Sequence, residues 1–253
     1  DHPTLTEVRR FTTPWEADAS LQLRRGDRAC LHTYAANGRV HDGPTETMVD
    51  TAYTAWHADT RDGRHSLLIA PTRQLVTDLN ARARTDLIAT GHVTPLREVP
   101  LRDGTRASTG DRIVTRRNDR RLRAGRRWIR NGDHWTVTAT HADGSLTATA
   151  PDGGPQVTLP AGYVAEHVDL GYATTTHRAQ GSTVDTAHTI VTDALTREQL
   201  YVAMSRGRHA NSAHVCTDTP DAEPHTAHPR TATDVLAAVL ARTGAEDSAH
   251  ARI

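Results

Sequence analysis

Side chains that suit phosphate are concentrated in two short segments, residues 174–183 and residues 205–208. The first reads TTTHRAQGST, and its hydroxyl and imidazole groups can bond phosphate without reading a base sequence. The second reads SRGR, and arginine offers a planar, always-charged fork that matches phosphate. Gly181 in the first segment lets another backbone approach closely. Both segments therefore carry side chains that could bind phosphate.

Regular elements must hold these segments, and the neighbouring residues predict them. Residues 188–191 (HTIV) read as a buried strand, and residues 213–216 (AHVC) as another. Between them a helix is expected to open at Thr196 as N-cap, with Gln199 at the third helical position, and to end in residues 205–208. This alternation predicts a parallel α/β sheet, with its chemistry at the carboxyl ends of the strands.

The same segments carry a family resemblance. THRAQGSTVD resembles motif V of superfamily 1 helicases, and LYVAMSRGR resembles motif VI, in the expected order and at about the expected distance. The closest resemblance is to the RecD-like helicase region of TraI/TrwC-type (MobF) conjugative relaxases from actinobacteria. It implies a RecA-like domain of the P-loop NTPase superfamily, the second of two lobes (domain 2A), in an ATP-dependent 5′-to-3′ DNA helicase.

The resemblance also implies roles around the nucleotide. Arg206 is the best candidate for an arginine finger on the γ-phosphate of ATP. LTEVRRF resembles motif IV and makes Arg10 a second candidate, with Arg9 as the fallback; a surface pair that caps a helix is the alternative. Gln180 and Gly181 would couple the nucleotide state to the DNA surface. Arg208 is alternatively a simple charge at a helix C-terminus.

Single-stranded DNA is the implied nucleic-acid partner. Thr175, His177 and Thr183 would lie on or beside the strand, bonding its phosphates. LIAPTR resembles the helicase segment whose turn faces single-stranded DNA, which makes Thr72 and Arg73 candidate phosphate contacts. Their alternative role is that of N-cap and first-turn residue of the helix that follows.

Between residues 95 and 166 the sequence predicts short strands and hairpin turns in place of alternating strands and helices. GDRIVTRRND and NGDHWTV in this stretch resemble the SH3-like 2B insertion of RecD-type helicases, a small β-barrel. The predicted organisation is therefore domain 2A in residues 1–94 and 167–218, domain 2B in residues 95–166, and a linker with a C-terminal helix in residues 219–253. One basic cluster in the insertion either tracks a phosphate backbone or forms a solvated face; its members are Arg116, Arg117, Arg120, Arg121, Arg123, Arg126, Arg127 and Arg130.

Composition limits what this sequence can bind by itself. All 30 basic residues among the 253 are arginines, so the lysine of a phosphate-binding loop is missing, and no strand with a magnesium aspartate stands out. ATP and Mg²⁺ are therefore expected to be bound mainly by a Walker A/B lobe, on a longer polypeptide or in trans. No resident metal site is expected, because the pairs His209/His214 and His225/His228 are interpreted as surface histidines.

The cellular setting follows from the same features. Neither a signal peptide nor an apolar run of membrane-spanning length is visible, and Cys30 and Cys216 are interpreted as buried thiols. A cytoplasmic protein is expected. Besides the helicase lobe, two functions stay open: a stand-alone single-stranded nucleic-acid-binding module that lost catalysis, and an unrelated phosphate-handling enzyme.

Overall fold

The computed structural model describes residues 11–218 and 230–244. The predicted roles of Arg10 and Arg9, the histidines 225 and 228, and most of the linker lie outside these residues. The chain divides into two compact units: one holds the residues up to Val76 and from Thr174 onward, and the other holds residues 77–173. The boundary falls inside one helix and one short strand.

A five-stranded sheet forms the centre of the first unit. Its strands in spatial order are β1 (Val40–Gly43), β14 (Gly207–Cys216), β13 (Val184–Val191), β2 (Ser66–Ala70) and β12 (Ala173–Thr175). The pairs β1/β14, β14/β13 and β13/β2 are all parallel, which confirms the predicted parallel α/β fold. Strand β2 is buried at every position, as expected of a parallel strand covered on both faces.

Helices cover this sheet, and local sequence explains several of them. They are α1 (Pro14–Arg25), α2 (Ala29–Ala36), α3 (Thr45–Arg61), α6 (Thr176–Ala179), α7 (Arg197–Ala203) and α8 (Ala232–Ala241). Helix α3 buries Met48, Ala52, Tyr53 and Trp56, one helical face. Helix α7 opens with the predicted capping box, in which the Thr196 hydroxyl accepts from the Gln199 backbone and the Gln199 side chain accepts from the Thr196 backbone.

The end of α7 differs from the prediction. The helix stops at Ala203, and strand β14 already begins at Gly207. Arg208 is therefore an exposed strand residue, and its alternative role as a helix C-terminal charge is wrong. A glycine followed by Arg208 and His209 resembles a helix terminus in sequence, but here parallel pairing with Val184 of β13 starts a strand.

The second unit consists mainly of antiparallel strands after helix α4 (Arg73–Ala89). Its five-stranded sheet has the order β10 (Gln156–Leu159), β9 (Leu146–Thr149), β8 (His134–Thr140), β5 (Arg112–Thr115) and β11 (Val168–Leu170). Two hairpins accompany it: β3 (Thr94–Pro100) with β4 (Arg106–Thr109), and β6 (Asp119–Ala124) with β7 (Arg127–Ile129). A short helix, α5 (Ala161–His167), precedes β11. The SH3-like assignment of this part stays a prediction.

A buried carboxylate organises the second unit. Asp111 is fully buried and accepts hydrogen bonds from the Tyr172 hydroxyl (2.7 Å), the Ser108 backbone N–H (2.7 Å) and Nε of Arg84 (3.0 Å). Helix α4 contributes Asn80, whose side-chain oxygen accepts from the backbone of Tyr172 (3.0 Å). These four donors satisfy side-chain oxygens of Asp111 and Asn80, which would be costly to bury without hydrogen bonds.

Three further properties hold for the part of the chain that the structure describes. Both cysteines, Cys30 and Cys216, are buried and free, as predicted. Within residues 11–218 and 230–244, no group of three histidine, cysteine, aspartate or glutamate side chains is placed to hold a metal ion. The helices in these same ranges are all too short or too polar to cross a lipid bilayer.

Candidate functional site

Arg206 lies between α7 and β14, and its side chain is held on every side. Only 6% of the residue is exposed. Its Nε donates to the Val202 carbonyl (2.7 Å), Nη2 to the Ser205 hydroxyl (2.8 Å) and Nη1 to the Ser182 carbonyl (3.3 Å). A guanidinium fixed in this way has lost most of its rotamer freedom before any phosphate arrives. That preorganisation suits an arginine meant to meet an anion in one position.

The polar loop before β13 is bound to Arg206 in both directions. Ser182 accepts from the Arg206 side chain, and the Val184 backbone N–H donates to the Arg206 carbonyl (3.1 Å). Because Val184 pairs with Gly207, the two segments start neighbouring parallel strands at the same edge of the sheet. The structure thus brings together the two segments that resemble motifs V and VI. A displacement of Arg206 has to move residues 182–184.

Apolar contacts behind these segments fix them to the sheet. Ala179 of α6 and Ala203 of α7 pack with Leu67, Ile69 and Ala187 in one buried cluster. Small residues at these positions let the two short helices approach the strands closely. The elements that carry the candidate site are therefore rigidly coupled.

Gln180 and Gly181 form an exposed turn between α6 and β13. Gly181 has φ +89°, a left-handed conformation that favours glycine, and an added Cβ would meet no atom within 4 Å. Backbone conformation, rather than lack of space, accounts for glycine at this position. The turn lies directly before Ser182, so its conformation is linked to that of Arg206.

The candidate DNA contacts occupy two places. Thr175 ends β12, His177 is exposed in α6, and Thr183 is exposed before β13. Thr72 and Arg73 follow β2, whose residues Ser66–Ala70 run parallel to β13. They consequently lie at the carboxyl edge of the sheet, about 30 Å along the strand direction from Thr183, because Ser66 of β2 is level with Thr186 of β13.

This placement corrects the expectation that the chemistry gathers at the carboxyl ends of the strands. Arg206, Gln180 and Gly181 precede β14 and β13 and lie at the amino edge. Thr72 and Arg73 both take up their alternative roles at the start of α4, where the Thr72 hydroxyl accepts from the Leu75 backbone (3.2 Å). Arg73 is the first residue of that helix and is exposed.

A buried carboxylate that sequence reasoning missed supports the segment after Arg206. Glu16 of α1 is fully buried, and its Oε1 accepts from both the backbone (3.0 Å) and the side chain (2.9 Å) of Asn211. The Asn211 amide in turn brackets Gly207, accepting from its N–H (2.7 Å) and donating to its carbonyl (3.0 Å). Glu16 and Asn211 are thus positioning residues for the start of β14.

Glu16 provides a prediction on stability. Glu16→Ala leaves both Asn211 donors unpaired in the core and is expected to cost about 3 kcal/mol of unfolding free energy at pH 7. Glu16→Gln keeps an acceptor for Asn211 and a partner for the Thr13 hydroxyl, and is expected to cost less than about 1 kcal/mol. Urea unfolding measures both.

The pH dependence of the Glu16→Gln variant tests the cause. Burial raises the pKa of Glu16 above its usual 4.5, although hydrogen bonds from Asn211 and the charge of Arg39 oppose this. Protonated Glu16 contributes fully to the unfolding free energy below pH 4.5, and this contribution is lost as pH rises through the raised pKa. Glu16→Gln should therefore gain stability relative to the wild type as pH rises. Parallel pH profiles for the Glu16→Gln variant and the wild type would contradict this account.

The interpretation of the strand histidines is half wrong. His209 is exposed, as predicted, but His214 is 1% exposed in the sheet. Its ring stacks on His41 at 5.0 Å, and its Nε2 lies 3.4 Å from Nδ1 of His188, which contacts Asp59. Burial and the neighbouring His188 lower the pKa of His214 to about 3, so this imidazole is neutral at physiological pH.

Comparisons with known proteins agree with this geometry. The sequence profile of the UvrD-like helicase C-terminal domain matches residues 170–210, and that of an AAA domain matches residues 1–45. A probable conjugal transfer protein TraA of Sinorhizobium fredii is 30% identical over 207 residues, and the conjugal transfer protein TraA of Rhizobium radiobacter is 32% identical over 207. Each match covers 81% of this chain and 18% of the relative.

Solved structures share the fold. The Bacteroides Pif1 helicase, crystallised with ADP-AlF3 and ssDNA, matches with a TM-score of 0.52 at 17% identity. The match covers 83% of this chain and 51% of that chain. At this identity the likeness concerns the fold alone, a parallel-sheet α/β architecture shared with that Pif1 helicase.

Proposed function

We propose that this chain, which is homologous over 207 residues to a segment of the TraA conjugal transfer proteins and matches the profile of the UvrD-like helicase C-terminal domain over residues 170–210, is the second RecA-like lobe of an ATP-dependent 5′-to-3′ DNA helicase. The helicase would act in the cytoplasm, in conjugation. The chain spans 18% of the length of these relatives, so the remaining parts of such a helicase would come from a longer polypeptide or a partner.

The linkage between Arg206 and residues 182–184 carries this proposal. Two hydrogen bonds at the amino edge of neighbouring strands join the arginine proposed to bind the nucleotide to the loop proposed to bind DNA. A γ-phosphate that binds the guanidinium where it is held would compete with the Ser182 carbonyl for Nη1, and loss of that hydrogen bond would allow Thr183 and the Gln180-Gly181 turn to shift. ATP binding and hydrolysis would in this way change the affinity for DNA.

Nucleotide chemistry divides between two lobes in this proposal. The chain has no lysine, so the phosphate-binding loop and the aspartate for Mg²⁺ would belong to a Walker A/B lobe. Arg206 would place its fork on the transferring phosphoryl group and stabilise the charge that develops there. Arg10 is proposed as a second such arginine.

Single-stranded DNA would contact both groups of candidate residues, His177, Thr175 and Thr183 on one side and Thr72 and Arg73 on the other. Hydroxyl, imidazole and guanidinium groups at these positions suit backbone phosphates, so binding would be independent of base sequence. Residues 95–166 are proposed as the 2B insertion, with domain 2A before and after them.

A binding assay tests the DNA part of the proposal. His177→Ala and Arg73→Ala are each expected to weaken the binding of a fluorescent oligothymidylate by about threefold to tenfold, and Arg73→Ala to lower the salt dependence by about one phosphate contact. Arg25→Ala, an exposed charge at the end of α1, serves as the matched control and should change neither. Unchanged affinity in both variants would remove these residues from the DNA surface.

A further inference from the structure

The hairpin β6–β7 carries a dense positive charge that the proposed function does not use. Residues 119–133 contain six arginines against two aspartates. All six arginines are exposed: Arg120, Arg121, Arg123, Arg126, Arg127 and Arg130. Like charges this close repel one another, so their concentration on one hairpin costs stability unless an anion neutralises them.

Both aspartates are engaged mainly with the backbone. Asp119 accepts from the Arg121 N–H (2.8 Å), and Asp133 accepts from the Arg130 N–H (2.8 Å). The Asp133 carboxylate is 3.9 Å from the Arg127 guanidinium, which is too far for a hydrogen bond. The carboxylates therefore shape the turns, and the guanidinium charges remain largely uncompensated within the hairpin.

Trp128 orders two of the guanidiniums. The Cζ atom of Arg130 lies 5.0 Å from the centre of the indole ring, and that of Arg120 lies 5.7 Å from it. Cation–π contacts at these distances hold the guanidinium planes against the ring while their N–H edges can still donate. The aromatic ring is half-buried under these two side chains, so a nucleobase would have to displace them to stack on it.

The hairpin is built to present these charges rigidly. Its inner face buries Ala124 and Ile129, and strand β6 packs against β10. Gly125 makes the turn in the left-handed region, with φ +60°. Arginines on a packed hairpin lose less freedom on binding than arginines on a mobile loop.

We propose that the outer face of the β6–β7 hairpin is a docking surface for double-stranded DNA, read through its phosphates alone. Proteins that bind single strands stack bases on exposed aromatic rings. Here the only aromatic side chain of the hairpin is covered by guanidiniums, which leaves a phosphate-binding surface with no stacking platform. A duplex keeps its bases stacked and offers the highest linear density of phosphate, about one charge per 1.7 Å of helix axis. The proposal goes beyond the proposed function, because it requires neither ATP nor the residues assigned to the single strand.

Fluorescence anisotropy of the whole chain with a labelled duplex of about 20 base pairs, at salt between about 50 and 200 mM, tests this surface. Arg121→Gln with Arg126→Gln, which leaves the guanidiniums of Arg120 and Arg130 on Trp128, is expected to lower duplex affinity about tenfold and to shrink the salt slope by about 2, the value for two phosphate contacts. The control is Arg97→Gln with Arg106→Gln, which removes the same charge from exposed positions of β3 and β4 in the same unit. It should change affinity by less than about twofold, since only long-range electrostatics is altered.

Two readouts keep the outcomes apart. Thermal unfolding monitored by circular dichroism should give the same midpoint for both double variants, and oligothymidylate binding should be unchanged by the hairpin variant. Equal losses for hairpin and control variants would overturn the proposal. So would an oligothymidylate loss as large as the duplex loss, because the occupant would then be a single strand. Failure of His177→Ala to affect oligothymidylate would count against the proposed function and leave the duplex result untouched.

Discussion

Arg206→Ala is expected to lower DNA-stimulated ATP hydrolysis by about 10³-fold or more when this chain is combined with a Walker A/B lobe. Arginine fingers contribute this much because they neutralise charge that appears only in the transition state. The structure adds that the guanidinium is already oriented by Val202, Ser205 and Ser182, so little reorganisation is needed. The loss should fall mainly on kcat, with a smaller change in the KM for ATP.

Two further variants separate charge from geometry. Arg206→Lys keeps a positive charge but cannot reproduce three directed N–H donors, so it should recover less than about a tenth of the activity. Arg208→Ala removes an exposed arginine two residues away and should stay within about threefold of the wild type. Circular dichroism melts must show that Arg206→Lys folds. Equal activity of the Arg206→Lys variant and the wild type, or equal losses for Arg206→Ala and Arg208→Ala, would contradict the assigned role.

Gly207→Ala is expected to cost about 3 kcal/mol or more of unfolding free energy, a large share of a typical 5–15 kcal/mol. A Cβ at this position would lie 2.1 Å from the Ala210 carbonyl oxygen and 3.2 Å from the Ala187 backbone nitrogen. Both are main-chain atoms of the sheet and cannot swing aside as a side chain would. The backbone must shift, and the bracket that Asn211 forms around residue 207 is lost with it.

Gly63→Ala is the matched control for that prediction. Gly63 also lies in the first unit and has φ +80°, but its added Cβ would meet nothing within 4 Å. Left-handed strain alone should cost about 1 kcal/mol. Urea unfolding curves for the two variants should therefore differ by at least about 2 kcal/mol. If they coincided, close backbone packing would not explain the glycine at position 207.

Those parts of the fold that depend on neighbouring residues were predictable from sequence. The Thr196 capping box, the apolar face of α3 and the buried strand β2 all follow from local patterns, and the structure confirms them. Motif spacing likewise indicated that Arg206 and residues 182–184 would share one site. What sequence could not supply is how far the strands extend toward the candidate residues, because strand ends depend on pairing: β13 begins at Val184 and β14 at Gly207, before the apolar runs that predicted them.

Long-range partners explain the remaining differences. Strand β1 has no apolar run, since it is an edge strand with half of its residues exposed, and only pairing with β14 identifies it. Glu16 resembles an ordinary acid in the first turn of a helix, until the fold brings Asn211 beside it from 195 positions away. His214 resembled a surface residue because histidine is polar, yet α3 and the neighbouring strands cover it.

The most direct test of a two-lobe ATP site is to measure ATP hydrolysis for this chain alone, for a Walker A/B lobe from a matching helicase alone, and for the two together, each with single-stranded DNA. The account predicts that neither part hydrolyses ATP appreciably and that mixing them restores DNA-stimulated turnover. If the mixture does not hydrolyse ATP while this chain still binds oligothymidylate, a stand-alone binding module is favoured instead. Hydrolysis by this chain alone would contradict the account outright, since it has no lysine from which to build the usual phosphate-binding loop.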